Sequence, residues 1–74
     1  MSNFKAEFYA TDDGIFELRA KIGSDISRVM YFFYFEGRII LTNGFVKKTQ
    51  KTPPSEIALA KKYRKDFLER NGRI

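Results

Sequence analysis

The sequence predicts an α+β fold, with a small antiparallel sheet of about four strands followed by one C-terminal helix. Three observations carry this prediction. Up to residue 46 the chain contains stretches in which apolar and polar side chains alternate, the period-two pattern of half-buried strands. The turn-forming clusters TDDG, IGSD and EG divide those stretches. Pro53 and Pro54 then end the strand-forming region and open a segment whose apolar residues recur at helical spacing.

The first strand, about 3–10, sets Phe4, Ala6 and Phe8 against Lys5, Glu7 and Tyr9. TDDG supplies residues that tolerate a left-handed backbone, and IFELRAK resumes the alternation in a second strand, about 14–21. SRVMYFFYF, the third strand at about 26–35, is rich in the aromatic and β-branched types that suit a pleated surface. A two-residue turn at Glu36–Gly37 leads into RIILTNGFV, a fourth strand at about 38–46. The helix is expected over about 54–70, with Thr52 as N-cap, Glu56 facing the positive end of the dipole and Asn71–Gly72 closing it. All of this fits one domain spanning 1–74. A chain of 74 residues buries only roughly 60% of the surface it exposes when unfolded, which leaves no room for a second core.

These turns imply registers. Pairing Phe35 with Arg38 places Phe33 opposite Ile40, Phe32 opposite Leu41, and Arg28 near Phe45. Pairing Lys21 with Ile26 sets Leu18 against Val29 and Arg19 against Arg28. One face then carries Phe16, Leu18, Ala20, Val29, Tyr31, Phe33, Phe35 and Ile40, and the other Met30, Phe32, Tyr34, Ile39 and Leu41, with Arg19, Arg28 and Asn43 towards one end. Both faces are apolar, and a single helix covers only one.

Composition excludes several chemistries. With no cysteine and no histidine there is no disulfide framework, no thiolate nucleophile and no ordinary zinc site, so neither a metal nor a cofactor is expected. The longest apolar stretch, VMYFFYF, is far short of the ~20 residues that span a bilayer, and the N-terminus does not resemble a signal peptide, so a cytoplasmic location without membrane contact is expected. The net charge of +5 is unevenly placed: nine of the fourteen basic residues but three of the nine acidic ones lie in 47–74, a net +6 beside −1 for the remainder. Such asymmetry points to an anionic partner, nucleic acid first and an acidic protein surface second, or else to a solvated lysine-rich face.

Three features sharpen the anion reading. Arg19 opposite Arg28 needs either a neutralising carboxylate such as Glu17 or a bound anion. Lys47, Lys48 and Lys51 of KKTQK stand at the same junction, so that these cations could converge at one end of the sheet on the phosphates of a nucleic acid, with Tyr63 or a third-strand aromatic stacking a base. Arg64 falls inside the apolar arc of Ile57, Ala60, Tyr63, Phe67 and Leu68; either its stem packs on the sheet while its head reaches water, or its guanidinium is aimed at an anion between helix and sheet.

The stretches GIFELRAK, SRVMYFFYF and RIILTNGFVKKTQKTPPSEIALAKKYRKDF, covering about residues 14–70, closely resemble the C-terminal half of RelE/HigB-group toxins of bacterial and phage toxin–antitoxin systems, in particular the phage-derived toxin-like branch. The resemblance implies a RelE-like fold and metal-independent cleavage of mRNA, commonly on the ribosome, by attack of the 2′-hydroxyl on the adjacent phosphate. It also implies a cognate antitoxin, in this branch usually of helix-turn-helix type. Arg28 matches the third-strand arginine placed at the scissile phosphate. Lys47, Lys48 and Lys51 match the basic RNA-contacting segment, which Arg19 and Arg64 extend, and Tyr63, Lys48 or Lys51 are the proton-transfer candidates.

The chain departs from that pattern in two places. Ile15 and Glu17 stand where RelE has lysines, so a lysine base is missing there. NFKAEFYATDDG resembles the family's first strand running straight into its second, without the helical hairpin of longer members. A non-catalytic remnant that keeps an antitoxin-binding surface, and a gyrase poison of the ParE type, are the alternative readings. The uncovered sheet face predicts a homodimer in the absence of antitoxin.

Overall fold

Four strands form one antiparallel meander in the order β1-β2-β3-β4: β1 (Lys5–Asp12), β2 (Ile15–Ile22), β3 (Asp25–Phe33) and β4 (Ile39–Val46). Helix α1 (Pro54–Asn71) follows them, so the α+β architecture is the expected one. The structure is a computed structural model that describes residues 5–22, 25–46 and 52–72.

The β1–β2 hairpin turns on Asp13 and Gly14, at φ 53° and 77°, the left-handed pair that matches the twist of the flanking strands. Strand β1 runs two residues beyond its expected end. Thr11 forms a bulge between the Ala10–Phe16 and Asp12–Ile15 pairs, and its hydroxyl donates to the Ile15 carbonyl at 2.7 Å. The β2–β3 register is as expected, with Lys21 opposite Ile26, Leu18 opposite Val29 and Arg19 opposite Arg28.

The β3–β4 register is corrected in one half and kept in the other. Strand β3 stops at Phe33 rather than 35, because a three-residue 3-10 turn, Phe35–Gly37, replaces the expected two-residue turn. Tyr34 N–H donates to the Arg38 carbonyl at 2.7 Å, with Glu36 and Gly37 at φ 60° and 75°. The extra loop residue slips the pairing by one, so Phe33 lies opposite Ile39 and Phe32 opposite Ile40. Thr42 and Asn43 then share the place across from Met30, a bulge that restores Arg28 opposite Phe45. As a result Ile40 joins Phe32 beneath the helix, whereas Ile39 and Leu41 join Tyr31 and Phe33 on the other face, the reverse of the assignment made from the sequence.

Helix α1 covers one face. Ala60, fully buried, lets the helix approach closely, and Ile15, Met30 and Phe32 meet it with Ile40, Phe45, Ile57 and Phe67 around them. Phe67 packs edge-on against Phe32 and Tyr34, with ring centroids 5.8 and 4.8 Å apart. Tyr34 Oη lies 3.0 and 3.1 Å from the carbonyl oxygens of Asn71 and Gly72 and ties down the helix end. Gly72, at φ 91°, donates to the Leu68 carbonyl and terminates the helix as expected. The N-cap is Pro53, not Thr52, and no side chain caps it, because the Thr52 hydroxyl is engaged elsewhere. Tyr63 lies at the margin of the apolar arc, 42% exposed. The opposite sheet face carries the stacked and edge-on trio Phe16, Tyr31 and Phe33, and no described element covers it.

Candidate functional site

Alternate residues of a strand share a face, and directly paired residues of neighbouring strands do too, so Glu17, Arg19 and Arg28 point together towards α1. Glu17 and Arg28 are both fully buried, and Arg19 is 12% exposed. The Glu17 carboxylate bridges the two arginines. Its Oε1 accepts from Arg19 Nε at 2.7 Å and its Oε2 lies 3.6 Å from Arg28 Nη1. Thr52, just before the helix, donates its hydroxyl to Glu17 Oε1 at 3.0 Å and accepts from Arg19 Nη2 at 3.4 Å. Burying two like charges side by side is costly, and the carboxylate offsets that cost. Glu17 is thus the neutralising group that the sequence offered as one of two possibilities.

Aromatic rings flank the cations. The Arg19 guanidinium sits 4.0 Å above the Tyr9 ring centroid, and Arg28 faces the ring of Phe45 at 5.9 Å. Tyr9 donates its hydroxyl to Glu7 at 2.7 Å, and this hydrogen bond is the main reason its pKa is raised above that of an ordinary phenol. At neutral pH Tyr9 therefore keeps its proton. Tyr9 and Thr52 were not selected as site residues from the sequence. The signal for Tyr9 was present, since the Asp13–Gly14 hairpin pairs Tyr9 with Glu17. Nothing local marks Thr52, which lies 35 residues from the carboxylate it binds.

The other expected site residues are dispersed. Lys47, Lys48 and Lys51 lie outside the described residues, but the residues that flank them do not: Val46 pairs with Ser27, next to Arg28, and Thr52 binds Glu17. The two described residues that flank the lysine segment thus lie beside the arginine cluster. Arg64 lies at the other end of the sheet, where its guanidinium binds the carbonyl and, at 2.7 Å, the carboxylate of Asp13. Lys61 joins Asp12 at 2.5 Å on the same flank, and this hydrogen bond holds the Asp12 carboxyl below the usual carboxylate range. Tyr63 projects from the opposite flank of the helix, the side from which Glu56 accepts two hydrogen bonds from Asn43 on β4. A cleft of 660 Å³ opens beside Arg64 between Gly14, Phe32, Tyr34 and Leu68, remote from the arginine pair.

Together, the cluster provides two guanidinium groups, one carboxylate and a protonated phenol at one end of the sheet, a set suited to holding an oxyanion if the carboxylate is displaced. Among the described residues no helix is long and apolar enough to cross a membrane. No curated protein and no solved structure matches the chain. A family described as phage derived protein Gp49-like (DUF891) matches residues 2–65, which takes in the whole sheet, the lysine segment and the first two-thirds of the helix. On that match, the chain belongs to the phage-derived Gp49-like family.

Proposed function

We propose that this member of a toxin-like phage-derived family is the toxin component of a type II toxin–antitoxin system, a metal-independent endoribonuclease acting on mRNA, in association with the ribosome, and held inactive by a helix-turn-helix antitoxin. The observation that carries the reading is the arginine pair at the sheet end where the lysine segment begins and ends. In this mechanism the 2′-hydroxyl loses its proton to a base and attacks the adjacent phosphorus. The arginine charges stabilise the phosphorane, and the departing 5′-oxygen takes up a proton, leaving a 2′,3′-cyclic phosphate. The phosphate exchanges with the Glu17 carboxylate as the anion on Arg28 and Arg19, one charge replacing another. Thr52 must release Glu17 for that exchange. Lys48, Lys51 and Tyr63 remain the proton-transfer candidates.

A second reading rests on the burial of Arg28 beside Glu17, where the arginine already has a counter-charge within the chain: a non-catalytic chain that keeps a surface for the antitoxin. Cell-free translation with mapping of message ends separates the two. The first reading expects new 5′-hydroxyl ends, reduced at least tenfold by Arg28→Lys, which keeps the charge but not the planar fork. Intact messages at high protein concentration would overturn it in favour of the second.

A further inference from the structure

The uncovered face of the sheet has a size pattern that fits its own copy, and we infer that two chains stack there as a two-fold symmetric sheet-on-sheet dimer. Following the pairing across all four strands gives three rows on this face, which begin on β1 at Ala6, Phe8 and Ala10 and end on β4 at Val46, Gly44 and Leu41. Reading by rows, the β1 edge is small, large, small, and the β4 edge is large, absent, large. A two-fold axis lying between the sheets and parallel to the strands keeps each row at its height and reverses its order, so β1 of one copy lies over β4 of the other. Phe8 then enters the gap at the partner's Gly44, while Leu41 and Val46 meet Ala10 and Ala6.

Three further observations point to a second copy as the occupant. Phe8 on the β1 edge and Leu41 and Val46 on the β4 edge are 69%, 65% and 61% exposed, all on this one face. Among the described side chains of that face none is charged, so none of them brings like charges together when two copies stack. Four strands of eight or nine residues give a footprint on the order of 500 Å². The accessible surface of such a ridged face is larger still, which approaches the ~800 Å² per partner of a standard interface. The β4 bulge at Thr42–Asn43 is what makes the fit possible, because it turns Leu41 and Gly44, rather than Thr42 and Asn43, to this face.

Sedimentation equilibrium of the isolated chain at micromolar concentration tests the inference. The wild type is expected at twice 8.7 kDa, and Phe8→Glu and Gly44→Lys each at 8.7 kDa with unchanged circular dichroism. A Cβ at Gly44 meets Arg28 O at 3.4 Å and Val29 Cγ2 at 3.8 Å, ordinary contact distances, so the second variant introduces no backbone clash and circular dichroism checks its fold independently of the first. Mixing the two variants restores the doubled mass, because the introduced carboxylate then faces the introduced ammonium at one contact, while Phe8 faces Gly44 at the other. A monomeric wild type, a Gly44→Lys dimer, or a mixture of folded variants that stays monomeric would each overturn it.

Discussion

Replacing Glu17 with glutamine is expected to remove a large part of the protein's stability. The side chain is fully buried, as is Arg28 beside it, and Arg19 is only 12% exposed. Glutamine keeps an oxygen that can accept from Arg19 and Thr52 but deletes the negative charge, leaving two adjacent guanidinium groups in a water-poor site. Breaking a buried ion pair from one side costs about 3–5 kcal/mol, and the retained hydrogen bonds place this case near 3 kcal/mol. A chain of this size has roughly 4–11 kcal/mol in total. Urea unfolding followed by circular dichroism, at one protein concentration because association contributes to apparent stability, reads the loss as a midpoint shift of about 2–3 M for an m-value near 1 kcal/mol/M. Adding Arg28→Met removes the uncompensated charge and is expected to recover most of the loss. A shift below about 1 kcal/mol for Glu17→Gln, or no recovery in the double variant, would refute the assignment of Glu17 as the counter-charge of the pair.

Other expectations follow from the same contacts. Asp12, whose pKa is lowered by its hydrogen bond to Lys61, contributes stability that is present above its unfolded pKa and lost as pH falls through the lower folded value; Asp12→Asn should therefore flatten the acid limb of a melting-temperature profile while leaving the neutral limb's shape unchanged. Gly14→Ala should destabilise by about 1 kcal/mol or more in thermal unfolding, because φ is 77° and the new Cβ would lie 3.3 Å from Arg64 Nη1. Replacing Lys47, Lys48 and Lys51 together with alanine should weaken RNA binding and reduce the slope of log affinity against log salt by about 2; an unchanged slope would assign those lysines to a solvated surface.

Much of the fold was legible because it is encoded locally. Asp13–Gly14 can take a left-handed backbone and so places the first hairpin, alternation assigns the faces of β2 and β3, and the two prolines separate sheet from helix. From these alone Arg19 lands opposite Arg28, with Glu17 two residues away on the same face. The face assignment of β4 was not legible, because Glu36–Gly37 suits a two-residue or a three-residue loop, and a one-residue difference inverts every side chain after it.

What restores the register is tertiary. The bulge at Thr42–Asn43 is held by Asn43 donating to the carbonyl and carboxylate of Glu56, 13 residues on in the helix, and by the Thr42 hydroxyl lying 3.2 Å from the Met30 carbonyl. Likewise the site's closure by Thr52, and the pairing of Arg64 with Asp13 at the far end of the sheet, join residues 35 and 51 positions apart. The sequence by itself determined which charges share a strand pair, since a strand's period of two and a hairpin's register are local properties. Only the tertiary structure decided which partners those charges take and which face stays open, because both depend on where the helix comes to rest on the sheet.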